Sequence, residues 1–422
     1  MDSDARSQQE AGSVKLLQIN HLYAEVGGAE RYFSEVSPLL EAHGVRISVL
    51  YGFPLEGGIH VPGREEIALP ALFDLATPEQ ERRRMLGEQL RRIAPDVIQI
   101  HRVEDPVLIR ACVASRPTIQ FLHGPSPVLC PGDGRFAKWT GEACQRRVGP
   151  FCLIAPYLQF CGTRRPWGIL TNYWLTRELL EVSRSVARIV VASGYMRELL
   201  VEHGIPGSRI LVNPHPFVGG APRGERVAER PGSILYVGRM SPQKGVEYLI
   251  RAVATLDQRC CLTLVGDGPS RPQLERLIRE RLGDRHDAVF TGWLPHDQVR
   301  QLYAESQVVA FPSVWPEPFG RVGLEATGLG KPVVAFDVGG VREWLVNAHN
   351  GFLVPPKDIV AFAGALNRLL RDETLRRTMG QNGVELARTR FDPKRHVEAM
   401  LCLYDELLRP APGRAGVGAG GC

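Results

Sequence analysis

The sequence predicts an α/β protein made of two successive doubly wound domains, and three observations carry that expectation. At 422 residues the chain exceeds what one ordinary hydrophobic core organises, and it fits two domains of roughly 150 to 200 residues each. Short apolar and β-branched runs alternate with turn residues and helical periods, the rhythm of strand, loop and helix in a largely parallel sheet. Between residues 213 and 233 that rhythm stops in a stretch of prolines, glycines and charges, and then it begins again. A hydrophobic share of 44% with 23% charged residues belongs to a chain that folds around a core, and no short-period repeat points to a solenoid.

Residues 1–13 are polar and acidic and lack the basic region and apolar stretch of a signal peptide, so they are expected to form a disordered leader. The first domain, residues 14–215, opens with a strand at 14–20 and continues with strands at 46–51, 97–101, 118–123 and 188–192. Residues 216–232, with Gly219-Gly220 and Pro231-Gly232, form the linker. The second domain, residues 233–390, repeats the alternation with strands at 234–238, 261–266, 288–292, 308–312 and 333–337. An amphipathic helix within 391–408 precedes a low-complexity tail at 409–422 that is expected to be disordered.

A net charge of +5 is spread over 51 basic and 46 acidic side chains, with no basic tail, so nucleic acid is not an expected partner. No run of 18 apolar residues occurs, which argues against a conventional spanning helix. The segment Arg164-Arg165-Pro166-Trp167-Gly168-Ile169-Leu170-Thr171-Asn172-Tyr173-Trp174-Leu175 mixes basic and aromatic residues; it reads either as an interfacial helix or as a half-buried helix on the domain surface. Nine cysteines without a secretion signal suggest reduced thiols in a cytoplasm. Cys130, Cys144, Cys152 and Cys161 cluster in one stretch, spaced more widely than Cys-x-x-Cys knuckles, and leave a structural metal as an open question. Cys112, Cys260, Cys261 and Cys402 sit among apolar neighbours and read as small core residues.

Chemistry concentrates where strands hand over to helices, the place where open α/β sheets collect ligands. In Pro316-Glu317-Pro318-Phe319-Gly320-Arg321-Val322-Gly323-Leu324-Glu325, a Pro/Gly loop leads into a helix, with Glu317 just outside its N-terminus and Glu325 in its first turns. Unpaired amides and the positive dipole end suit an anion, while paired carboxylates suit sugar hydroxyls. Gly27-Gly28-Ala29-Glu30 follows the first strand and lets a backbone approach a bulky group, although it is neither a dinucleotide fingerprint nor a Walker loop. The run Gly238-Arg239-Met240-Ser241-Pro242-Gln243-Lys244-Gly245 places two cations before a helix, where cations are disfavoured unless an anion compensates; Arg239 and Lys244 therefore fit a diphosphate held without a metal. Val265-Gly266-Asp267-Gly268-Pro269 and Thr291-Gly292-Trp293-Leu294-Pro295 are further strand-end loops suited to packing a planar base. Two spaced carboxylates also fit a glycosidase, but a hydrolase has no use for the Arg/Lys pair.

Taken together, the 238–245 run, the 265–269 loop and Glu317 with Glu325 in a Glu-x7-Glu arrangement resemble the retaining nucleotide-sugar glycosyltransferases of family 4. Gly27-Gly28-Ala29-Glu30, the strand ending at His123 and Val191-Ala192-Ser193 extend the resemblance over residues 14–408. It implies the GT-B fold, two Rossmann-like domains facing across a cleft with the C-terminal helix packing back on the first. It also implies roles: Arg239 and Lys244 on the donor diphosphate, Glu325 on the ribose, Glu317 facing the donor sugar with the backbone of Phe319 and Gly320, and Gly28 approaching the phosphates from the opposite domain. Gly238, Gly266, Asp267, Leu294, Arg321 and Val322 complete the expected donor set, and His123 would lie near the reacting carbon. Gly124 follows that histidine where an Asp is common in the family.

The implied reaction moves a sugar from a nucleoside diphosphate sugar, UDP- or GDP-linked, to a hydroxyl of a carbohydrate, lipid-linked glycan or small-molecule acceptor, with retention and without a metal or other cofactor. A cytoplasmic protein, with peripheral contact at the inner membrane face left open, fits this reading. The alternative is a catalytically silent GT-B protein that binds nucleotide or glycan.

Overall fold

The computed structural model describes residues 13–23, 28–54, 61–132, 134–219 and 228–409. Gly27, nearly all of the expected leader and tail, and the middle of the expected linker lie outside them.

The first half forms a seven-stranded sheet from β1 (Lys15–Tyr23), β2 (Arg46–Pro54), β3 (Glu65–Ala68), β4 (Val97–His101), β5 (Thr118–Leu122), β8 (Arg188–Val191) and β9 (Ile210–Val212). Their order is β3-β2-β1-β4-β5-β8-β9, and β1 pairs in parallel with both β2 and β4. A separate two-stranded hairpin is made by β6 (Phe136–Ala137) and β7 (Glu142–Ala143). The second half holds six strands: β10 (Ser233–Val237), β11 (Cys261–Val265), β12 (Asp287–Gly292), β13 (Val308–Phe311), β14 (Val333–Phe336) and β15 (Gly351–Val354). They are ordered β12-β11-β10-β13-β14-β15, with every neighbouring pair parallel. Both sheets thus begin 3-2-1-4-5 in their own strand sequence, the doubly wound order, and the fold is two Rossmann-like domains as expected.

Period-two alternation explains why these strands sit inside. Ile234, Tyr236, Leu262, Leu264, Val308, Ala310, Val334 and Phe336 face one buried cluster, and the intervening Leu235, Val265, Val309, Phe311, Val333 and Ala335 face another. A parallel sheet covered on both faces needs largely apolar runs, and these strands provide them apart from Ser233 and Thr263.

By contacts the chain divides into two compact units. One takes the residues up to Phe121, Arg184–Ile189 and those from Lys394 on; the other takes Leu122–Ser183 and Val190–Pro393. The final helix, Pro393–Leu408, belongs to the first unit. Its buried Tyr404 Oη donates to Gln99 Oε1 on β4 at 3.0 Å, and His396 Nε2 lies 3.0 Å from Tyr32 Oη. The helix therefore returns to the first domain, fixed by polar contacts as well as by Val397, Met400 and Leu403.

All ten expected strands are present, with ends shifted by at most a few residues. Strands β3, β9 and β15 and the hairpin were not expected: β3 opens with two glutamates, β15 opens with glycine, and segments of two or three residues are too short for a period to register. Cys112 and Cys260 are buried as expected, but Cys261 is half-buried and Cys402 is exposed on the outer face of the last helix: apolar neighbours on a helix need not share its buried side.

Candidate functional site

In the second sheet the strand order reverses between β10 and β13, so the loops leaving their carboxyl ends flank the switch point where ligands of such sheets bind. The loop after β10 is fixed from within. Buried Tyr236 donates its hydroxyl to the Arg239 carbonyl at 3.0 Å, and burial, then the charge of Glu317, raise that phenol well above its ordinary range. Arg239 is exposed and, among the described residues, forms no ion pair. The single turn Pro242–Lys244 then presents Lys244.

Lys244 meets the other loop directly. Its Nζ donates to Glu317 Oε1 at 2.6 Å, and Ser313 Oγ donates to the same oxygen at 2.6 Å. The Glu317 side chain is 4% exposed and that of Lys244 24%, so a buried carboxylate is held by a cation that still reaches solvent. An ammonium carries three N–H groups, and this contact uses one. Lys244 Nζ also stands 5.2 Å from the centroid of Trp315, whose indole N–H donates to the Gly134 carbonyl at 2.6 Å. The Gln243 carbonyl accepts from the amides of Val314 and Trp315, tying the two loops together.

Three consecutive carbonyls of the 317–319 loop are taken. Glu317 O accepts from the Gly340 amide at 2.7 Å, Pro318 O from Ser193 Oγ, and Phe319 O from the Trp344 indole at 2.6 Å. Gly320 follows at φ 90°, a left-handed conformation that side chains other than glycine rarely adopt, and turns the chain into the helix Arg321–Gly328. Gly320, the residue before the helix, has no side chain with which to cap it. Gly323 gives the room for this packing, because a Cβ there would lie 2.0 Å from Trp344. Glu325 sits in the second turn, Tyr303 Oη donates to the Val322 carbonyl at 3.3 Å, and half-buried Val322 and Leu294 pack on the same cluster as Phe319.

The neighbouring strand ends are knitted too. The Gly238 amide donates to Val265 O, the Gly266 amide to Gly292 O, and the Met240 amide to Asp267 O. Asp267 accepts from the Gly268 amide at 2.7 Å and pairs with Arg271, and these two contacts hold its carboxyl below the usual range. His123 follows β5, its ring parallel to that of His215 at 6.0 Å, while His215 meets Phe319 edge-on at 5.2 Å. A Cβ on Gly124 would stand 3.7 Å from Pro318. The structure thus gathers His123, Gly238, Arg239, Gly266, Asp267, Leu294, Lys244, Glu317, Phe319, Gly320, Arg321 and Val322 around the ends of β10 to β13. Gly28 heads a helix of the first domain.

Four residues of this arrangement had no sequence signal. Ser313, Trp315, Trp344 and Glu343, which accepts from the Gly194 amide at 2.7 Å and pairs with Arg390, were not among the expected site residues. Apart from the Ser313–Glu317 contact, which spans four residues, their partners lie far away in sequence, so no local pattern marks them.

Two Rossmann-like domains of this strand order, with a cation and an acid meeting at the switch point of the second, define a protein of GT-B fold. A family profile described as Glycosyltransferase Family 4 matches residues 26–217, and one described as Glycosyl transferases group 1 matches residues 222–386. The chain belongs to the family 4, group 1 glycosyltransferases. It is 36% identical over 177 residues to an alpha-D-kanosaminyltransferase of Streptomyces kanamyceticus, an alignment that covers 41% of this chain and 45% of that one. Over 172 residues it is 36% identical to the lipopolysaccharide core biosynthesis glycosyltransferase LpsD of Rhizobium meliloti, covering 41% and 49%. The chain therefore spans less than half the length of these relatives. Its fold is that of the Anabaena protein HepE in complex with UDP, with a TM-score of 0.71 at 20% identity, covering 93% of this chain and all of the other.

Proposed function

We propose that this chain is a glycosyltransferase that moves a sugar from a nucleoside diphosphate sugar to an acceptor hydroxyl with retention of configuration at the anomeric carbon. The observation that carries this reading is the Lys244–Glu317 contact at the switch point, beside exposed Arg239 and the N-terminus of the helix Arg321–Gly328. Breaking the bond from the anomeric carbon to the diphosphate oxygen leaves the electron pair on the diphosphate. Arg239, the two remaining N–H groups of Lys244 and the amides at Arg321 and Val322 stabilise that charge most as it forms, which is where binding energy lowers a barrier. Glu317 orients Lys244 and faces the sugar, and Glu325 takes the ribose hydroxyls. The acceptor attacks on the face the diphosphate leaves, and a diphosphate oxygen takes its proton, so no protein nucleophile is needed. Gly238, Gly266, Asp267 and Leu294 border the base, and His123 lies toward the acceptor. No metal takes part in this scheme.

A melting-temperature series with UDP, GDP, dTDP and their sugars tests the reading, followed by turnover with the stabilising donor. A ligand present at 100 times its dissociation constant stabilises the folded state by about 2.7 kcal/mol. One diphosphate series is expected to raise the melting temperature and to be hydrolysed or transferred. Stabilisation without turnover of any sugar would make this a silent nucleotide-binding protein, and no stabilisation by any nucleotide would sink the assignment.

The acceptor side includes a surface suited to an anionic membrane. No helix among the described residues is long and apolar enough to cross a bilayer. The helix Pro166–Ser183 instead buries Ile169, Tyr173, Thr176 and Leu180 and leaves Trp167 81% and Trp174 60% exposed, with Leu170 between them and Arg164 and Arg165 at its start. Indole rings flanked by guanidinium groups favour the headgroup layer. Flotation with phosphatidylglycerol vesicles is expected to carry the protein up, and Trp167→Ala with Trp174→Ala to leave it at the bottom. Equal flotation of both proteins would remove the membrane from this reading.

A further inference from the structure

The hairpin segment that follows β5 holds four thiols that the donor site does not use. Cys130, Cys144, Cys152 and Cys161 line one cavity of about 40 Å³, together with Arg135 and Arg146. Around it the segment has only the two-residue strands of the hairpin, the turn Pro150–Leu153 and the short helix Ala155–Gln159. So little regular structure buries little apolar area, and segments of this kind are commonly held by a metal or by disulfides. Every described cysteine is a free thiol.

Two further observations concern charge. The amides of Gly132 and Arg135 both donate to Cys130 Sγ, at 3.4 and 3.2 Å, contacts that favour a thiolate against the larger effect of burial, which holds this thiol up. Arg135 itself is 3% exposed; its Nη1 donates to the Arg146 carbonyl at 3.0 Å, while its Nε has no hydrogen-bond partner. A buried guanidinium with a bare N–H on a cavity wall calls for negative charge inside that cavity.

We propose that the four cysteines bind a structural Zn²⁺ ion. A soft, tetrahedral set of four sulfurs is the donor set that zinc prefers in structural sites, with Zn–S bonds of about 2.3 Å. On binding, the four thiols release four protons to solvent, the cluster carries a net charge of 2−, and the Arg135 guanidinium neutralises part of it. Among the described residues no three His, Cys, Asp or Glu side chains already stand at ligand spacing around one point, so the ion draws the sulfurs inward from the cavity wall. Because binding displaces protons from the thiols, retention of zinc weakens as pH falls. The consequence reaches the donor loops, because Gly134 inside this segment receives the indole N–H of Trp315, the ring beside Lys244.

Zinc quantification on the full chain, purified under reducing conditions from zinc-supplemented culture, tests this independently of any sugar transfer. One equivalent per chain is expected, with four thiols shielded from Ellman reagent until a chelator is added. Cys144→Ser and Cys152→Ser should each reduce zinc to background, and Cys402→Ser should leave it unchanged. If the first two variants fail to fold, cobalt exchange into the unsubstituted protein gives the answer through thiolate-to-cobalt charge-transfer bands. Metal at background with all four thiols reactive in the folded protein would overturn the proposal, and so would peptide maps showing the four paired as disulfides.

Discussion

Lys244→Ala is expected to lower kcat by roughly 10²- to 10³-fold, the usual cost of removing one preorganised donor from a developing anion. The loss should fall on kcat more than on KM, because the interaction strengthens as the diphosphate departs. Stability should fall as well, by about 3–5 kcal/mol, because the variant leaves the buried Glu317 carboxylate without its cation. Glu317 would keep its bond from Ser313. Steady-state kinetics beside a thermal melt separate the two effects. A variant with kcat within about twofold of the unsubstituted protein, a gap of under 0.5 kcal/mol, would remove Lys244 from the mechanism.

Trp344→Ala should cost about 3–5 kcal/mol, read as a lower urea midpoint of the second domain. The side chain is fully buried, packs against Gly323 and Phe311, and its indole N–H is the partner of the Phe319 carbonyl. Removing it opens a cavity and leaves a buried carbonyl unpaired. Trp344→Phe restores most of the volume but not the donor, and should cost about 1–3 kcal/mol while weakening nucleotide binding, since the loop it braces leads into the helix Arg321–Gly328. Gly323→Ala attacks the same contact from the other side and should also destabilise the second domain. If Trp344→Ala loses less than about 1 kcal/mol, the loop is held by its other two carbonyl contacts and the tryptophan is not its brace.

Much of the fold was legible because strand signals are local. Each run that became β10, β11, β13 or β14 is apolar at both parities, which only a strand covered on both faces requires. Strand β15 was missed because Gly351-Phe352-Leu353-Val354 begins with glycine and lacks the β-branched pair that opens the equally short β13 and β14. The motifs at 238–245 and 316–325 were legible for a related reason: a positive-φ glycine, a proline and the residue types of a helix start leave a local signature. The cysteines show the limit. Cys402 has apolar neighbours in sequence yet lies exposed, because which side of a helix is buried depends on what the helix packs against.

The sequence by itself determined that the chain builds two doubly wound domains, where ten of their strands run, and which loops carry the charged and glycine residues of the candidate site. These follow from periodicity and turn chemistry within some ten residues. Only the tertiary structure decided that Lys244 would meet Glu317, that Ser193 and Trp344 would hold the carbonyls of Pro318 and Phe319, and that Cys130, Cys144, Cys152 and Cys161 would border one cavity. Those contacts join segments far apart along the chain. Their geometry is set by strand order and by how loops pack once the sheet has formed, which no local pattern of residues encodes.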